Sequence, residues 1–203
     1  MASMAETRRA ETIAGYDYGT DQVARSPVTL AELRQLEQAA GWSDADVAAL
    51  HRMGELIGND AEALVDSWRT VIGEQPELRR WFVGPDGRPD EHYKAQVKQR
   101  FVQWVLDICF KPHDRDWLNY QDEIGKRHTP AKKNLTDGAA TPPVVPLRYV
   151  VAFGAVVITS IRDFFQKRGV ADADLVRIQQ AWTKAVLLET ALWSRAYAKD
   201  GLW

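Results

Sequence analysis

The 203-residue sequence contains one cysteine, Cys109. That excludes an internal disulfide, and without Cys-x-x-Cys or Cys-x-x-Cys-His it also excludes thioredoxin-type, structural-zinc and covalent c-type haem arrangements. A reducing, cytoplasmic setting is expected. Charge of one sign is equally scarce: 26 Lys and Arg oppose 28 Asp and Glu, giving a formal net charge of −2 and a pI near 6.1. Nucleic acid and anionic membrane surfaces are therefore not expected as partners, since both call for a basic face. The longest apolar stretch, Tyr149 to Ile161, falls short of the roughly 20 residues that cross a bilayer. Arg8 and Arg9 are followed by no apolar segment, so no secretory signal is expected. Gly-x-Gly-x-x-Gly, a Walker lysine loop, His-Glu-x-x-His and Gly-x-Ser-x-Gly are all missing, which removes sequence support from the common nucleotide, metalloprotease and hydrolase mechanisms.

What is present is a well-stocked apolar inventory: 45% hydrophobic residues, 27% charged, and eight tryptophans. The size points to one domain with a real core. Tryptophan at this density calls for core, interface or flat-ligand contacts. The apolar residues recur with helical spacing almost everywhere, and no credible strand appears. Residues 1–28 lack that period and read as an extended arm whose Tyr16 and Tyr18 pack on the body. A capping box, Thr29-x-x-Glu32, opens a first helix that Gly41 stops. Ser43 caps a second. After Asn59, Ala61, Leu64, Val65, Trp68 and Ile72 form the apolar stripe of a third. Gly84 to Pro89 reads as a loop, Tyr93 to Ile108 as a helix ended by Lys111-Pro112, and Asp114 to His128 as another ended by Thr129-Pro130. Leu147 to about Phe165 is apolar nearly all round and is expected to be central. A last helix runs from Asp172 past Trp193. Seven or eight helices make the fold class all-α.

Of the four histidines, His51, His92 and His113 sit among charged or loop residues and read as solvated. His128 continues the face of Trp117, Tyr120 and Ile124, which places an imidazole at the edge of an apolar region. Read alone it is either a satisfied, partly buried histidine or a metal ligand. A closed zinc site needs about four donors and has no clustered partners here. Haem needs only one axial imidazole and an apolar slot, because the porphyrin brings its own nitrogens. Trp68, Phe82, Phe101, Trp104 and Phe153 are candidate walls, although aromatics at helical spacing are by default ordinary core. Lys126, Arg127, Lys132 and Lys133, which flank His128, read as cations favoured at a helix C-terminus, with a haem propionate as a second possible partner.

The segment Trp117-Leu118-Asn119-Tyr120-Gln121-Asp122-Glu123-Ile124-Gly125-Lys126-Arg127-His128, followed by Lys132-Lys133-Asn134-x-Thr136-Asp137, resembles the proximal region of protoglobins, the single-domain relatives of globin-coupled sensors. Ile13 to Gly19 is similar to their N-terminal extension, Phe82-x-x-Pro85-Asp86-Gly87 to an interhelical loop, Leu147 to Phe153 to their G helix, and Ala181-Trp182-x-Lys184-Ala185 with Ala191 to Ser194 to their H helix. The resemblance implies an expanded globin fold with an additional N-terminal helix, divided into an extension over 1–28 and a globin domain over 29–203. It implies haem b with its iron on His128. It also implies a distal side formed by Trp68, Val97, Phe101, Phe153 and Val157, further haem contacts from Phe82, Tyr120 and Ile124, and Arg100 near the propionates. Reversible binding of the diatomic gases O2, CO and NO follows, as does a homodimer through the last two long helices, with Trp193 at that interface. Two departures stand out. Arg69 replaces the tyrosine that usually follows the distal Trp; it either points inward as a cationic donor or turns to solvent or a propionate, and the cost of burying an unpaired guanidinium favours the second. Gly154-Ala155-Val156-Val157 is smaller than the corresponding segment of relatives and implies a roomier cavity. The same resemblance leaves room for a haem enzyme (NO dioxygenase, peroxidase, or carbene or oxygen-type group transfer), for a gas sensor acting through a separate signalling partner or served by a reductase, and, if it misleads, for a haem-free helical interaction domain.

Overall fold

A computed structural model describes residues 13–199, 201 and 203; the first twelve residues of the N-terminal extension lie outside the described residues. Among the described residues there are eight α-helices: α1 (Leu30–Ala39), α2 (Asp44–Ile57), α3 (Ala61–Glu74), α4 (Pro76–Arg79), α5 (Glu91–Phe110), α6 (Arg115–Lys126), α7 (Leu147–Gln166) and α8 (Asp172–Ser194). The fold is all-α.

Helix boundaries follow local chemistry. The Thr29 box forms in full: the Thr29 N–H donates to Glu32 Oε2 at 2.7 Å and the Glu32 N–H to Thr29 Oγ1 at 3.1 Å, satisfying two donors that a helix start otherwise leaves unpaired. Asp90 and Asp114 cap α5 and α6 through the N–H groups of Tyr93 and Trp117, both at 2.9 Å. Pro76 at the first position of α4 breaks α3 from it, because proline brings no N–H to continue a helix and a φ suited to starting one.

The main core gathers α2, α3, α5, α7 and α8 around Leu64, Trp68, Val105, Ile161, Phe165 and Trp182. A second cluster joins Val28 and Leu33 to Trp117 on α6 and Leu188 on α8. The central helix is α8, which buries nine residues including Trp182 at 0% exposure. This corrects the expectation for α7: it buries Val157, Ile161 and Phe165 and leaves Val151 52% exposed. Apolar composition all round a helix does not choose its neighbours; α7 packs on α8 and α3 along one stripe, and Val151 on another part of its surface stays exposed.

His113 requires a second correction. It is stacked between Trp117, with ring centroids 4.0 Å apart, and Trp42, at 4.8 Å, and its Nδ1 lies 2.7 Å from Glu37 Oε1. Burial lowers its pKa, with Glu37 opposing. His51 and His92 are exposed, as expected. The arm does pack its aromatics on the body: Tyr16 lies edge-on to Tyr120 at 5.3 Å, and its hydroxyl donates to the buried Asp107 at 2.8 Å. Gly15 takes a positive φ of 71° in a spot where a Cβ would stand 2.7 Å from Thr136 and 2.8 Å from Arg100. Only glycine lets the arm close that tightly.

Candidate functional site

The functional side chain sits just past a helix end. α6 stops at Lys126, two residues before His128, and the chain continues in turns. The His128 backbone is held from three directions: its N–H donates to Gly125 O at 3.1 Å, its carbonyl accepts from the Val145 N–H at 2.8 Å, and Tyr197, whose hydroxyl donates to Val145 O at 2.7 Å, braces the same corner. Gly125 sets the spacing behind it. A Cβ there would approach the Trp193 backbone to 3.0 Å, so glycine allows α6 and α8 to cross closely. That crossing puts the Trp193 ring on the imidazole, stacked at 5.7 Å with 25° between planes, while the Trp193 indole N–H donates to Gln121 at 2.8 Å.

The protonation of His128 follows from its one hydrogen bond. Nδ1 lies 2.9 Å from the Ile124 carbonyl, which can only accept, so Nδ1 carries the proton and Nε2 keeps its lone pair. Burial lowers the pKa and holds the ring neutral. A neutral imidazole with Nδ1–H fixed on a carbonyl is oriented and tuned as a metal ligand.

His128 opens onto a cavity of about 250 Å³. Val97, Phe101 and Trp104 from α5 form one wall, and Phe153, Gly154 and Val157 from α7 another. A Cβ built on Gly154 meets nothing within 4 Å, so this part of the cavity is open, as the small residues of the segment imply.

The cavity brings together Phe82, Val97, Arg100, Phe101, Ile124, His128, Phe153 and Val157. Three other candidates lie elsewhere. Trp68 is buried behind Phe101, ring centroids 5.2 Å apart, and gives its indole N–H to Ser160 at 2.6 Å. Arg69 lines a neighbouring cleft that shares Ile72, Phe82, Val97 and Phe101 with the cavity, and it faces Asp66 at 3.4 Å. It turns outward, as expected from the cost of burying an unpaired guanidinium. Tyr120 packs on the arm. Arg100 does line the cavity, but its guanidinium grips Asp137 at 2.6 and 2.9 Å and also donates to Ala14 O at 2.7 Å.

Sequence reasoning missed Trp193 and Lys133 as lining residues. Trp193 was expected at an interface; its ring turns inward because α8 is the central helix. Lys133 reads from the sequence as a cation at a helix end, with a haem propionate as a second possible partner, and the structure buries it to 3% exposure. Neither placement has a local signal, since each depends on contacts far away in the chain.

Helices wrapped about an apolar slot with one inward imidazole define a globin. Among solved structures, the globin domain of Geobacter sulfurreducens globin-coupled sensor has the same fold, with a TM-score of 0.61 at 16% sequence identity over 82% of this chain and 97% of that one. The family model named Protoglobin matches residues 29–203, and the chain belongs to the protoglobin family. No curated protein matches it. Among the described residues no helix is long and apolar enough to cross a membrane.

Globins hold haem, and the donor set fits it. Among the described residues no three His, Cys, Asp or Glu side chains gather to hold a bare metal ion. A porphyrin, which supplies the equatorial nitrogens itself, needs from the protein only the one imidazole and the apolar walls that are present.

Proposed function

We propose that this protein is a haem-b globin that binds O2, CO and NO reversibly, with His128 as the axial iron ligand. The observation that supports this reading is the fixed, neutral His128 ring, its free Nε2 on an apolar cavity. Haem iron supplies the gas-binding centre; the chain supplies its axial base, a wall of apolar side chains that keeps water away, and a buried position behind the N-terminal arm. Water exclusion favours reversible binding because it withholds the protons and solvent that promote oxidation of a ferrous gas complex. Neither Trp68, whose N–H is committed to Ser160, nor Arg69, which faces Asp66, offers a free donor to a bound gas. The distal side is thus apolar, with the cation of Arg69 kept at its rim.

Absorption spectra of the purified protein, ferric, reduced, and reduced under CO, test the reading. A Soret band that moves on reduction and again with CO is expected. A protein that takes up no haem on reconstitution sinks it and leaves a helical interaction domain.

The second part of the proposal is a homodimer through α7 and α8. Val151 on α7 and Val176 and Leu187 on α8 are 52%, 47% and 56% exposed, apolar surface that a like copy would cover. Sedimentation equilibrium is expected to give twice the chain mass, and Val151→Asp with Leu187→Asp to return the single-chain mass. A parent that sediments at the chain mass removes the dimer from the proposal.

A further inference from the structure

Three cations line the cavity, and their partners differ. Arg100 is neutralised by Asp137, which is itself buried. Arg127 is bound by Glu123 at 3.0 Å and Asp17 at 3.1 Å, and also donates to Gly15 O. Among the described residues Lys133 has only neutral acceptors: Trp81 O at 3.0 Å, Thr141 Oγ1 at 2.6 Å and, at a long 3.4 Å, Asn134 Oδ1.

Lys133 is 3% exposed and has no carboxylate partner among the described residues, an imbalance that buried charges seldom show. The face of Tyr93 lies 5.0 Å from Nζ, which offsets part of the desolvation. Burial with no opposing acid pulls the Lys133 pKa down to about 8. Lys133 lines the cavity, and two good hydrogen bonds hold its Nζ, leaving the third N–H only the long contact to Asn134. The neighbouring indole N–H of Trp81 is also buried and has no acceptor among the described residues. An apolar cavity with one un-neutralised cation on its wall is complementary to an apolar ligand with one anionic edge.

We propose that Lys133 recognises a carboxylate of the ligand that fills the cavity, so that the site selects a flat apolar macrocycle with an acidic edge over its neutral ester. The inference rests on the haem reading above. Arg100, the residue the family resemblance puts near the propionates, is already held on two sides by Asp137 and Ala14 O, which leaves Lys133 as the lining cation with charge to give.

Haem release separates this role from a merely structural one. Apoprotein is reconstituted with protohaem IX or with its dimethyl ester, and transfer to an excess of a haem-scavenging protein is followed. The parent is expected to release the ester roughly tenfold faster than the free acid, the factor that one charge-assisted hydrogen bond gives at its lower limit. Lys133→Gln, which keeps a donor for Trp81 O and Thr141, and Lys133→Met, which keeps the length, should each speed release of the free acid and close most of the gap, leaving the ester rate unchanged. A variant that speeds both macrocycles equally, or that keeps the parent's ratio, makes Lys133 only a strut between loops and overturns the proposal. A parent that takes up neither macrocycle overturns the haem reading and this proposal with it; a parent that binds both without discrimination overturns this proposal alone.

Discussion

His128→Ala is expected to abolish the axially ligated, CO-responsive spectrum while leaving the helical fold in place. The imidazole contributes one hydrogen bond to a carbonyl and a stacking contact with Trp193, together worth about 1–3 kcal/mol to the fold, whereas it carries the sole ring nitrogen with a free lone pair in the described cavity lining. The backbone around it is braced independently, through Gly125, Val145 and Tyr197. Far-ultraviolet circular dichroism should therefore be unchanged within error. The gap left by the ring opens onto the cavity, so added imidazole should restore the parent's ferrous-CO band. A variant with an unaltered Soret band would show that another group ligates the iron.

The elements most legible in the sequence are those with local causes. The Thr29 box, the Ser43 cap and the start of α6 at Asp114 each depend on residues within one helical turn, and the apolar spacing of α3 follows from a single burial face. The cavity walls at Val97, Phe101, Ile124, Phe153 and Val157 were legible through resemblance, which supplies the pairing of helices that periodicity lacks. What escaped notice depends on contacts across the chain. His113 looks like a loop residue until Glu37, 76 positions away, comes within 2.7 Å. Trp193 turns inward because Gly125, on another helix, lets two backbones meet. Lys133 is buried by Trp81 and Thr141, and nothing in its own neighbourhood of lysines distinguishes it from Lys132, which stays partly exposed and pairs with the buried Glu123. In α7 the sequence carries more apolar residues than the described structure buries, a surplus that periodicity cannot assign to a core or to a second copy.

Glu189→Gln is expected to stabilise the protein at alkaline pH and to remove much of its pH dependence. Glu189 on α8 is 2% exposed, and its one hydrogen-bond partner among the described residues is the indole N–H of Trp104, at 2.5 Å. Burial, partly opposed by that bond and reinforced by Asp107, raises its pKa from 4.5 to about 8. Asp107 is raised as well, chiefly by burial, against donors from Gln103 and Tyr16 and the charge of Lys111. The folded chain therefore keeps a proton on Glu189 that the unfolded chain gives up near its ordinary pKa. Between those two values the native state binds more protons, so stability falls as pH rises from about 4.5 to about 8 and the loss is complete above that. The size is on the order of 5 kcal/mol, from about 1.4 kcal/mol per unit. Gln keeps an acceptor for Trp104 without the titration. His113 and His128, whose pKa values are lowered, act in the opposite sense at acid pH, and Lys133 does so above about pH 8. All three titrate alike in parent and variant, so the difference between them isolates Glu189. Urea midpoints compared across pH should diverge in favour of the variant through that window, and parallel curves would mean that Glu189 is ionised in the folded protein. Because Trp104 is also a cavity wall, the same ionisation places a negative charge one residue behind the pocket, and the Soret position of the haem-loaded parent should drift over the pH range in which the two stability curves separate.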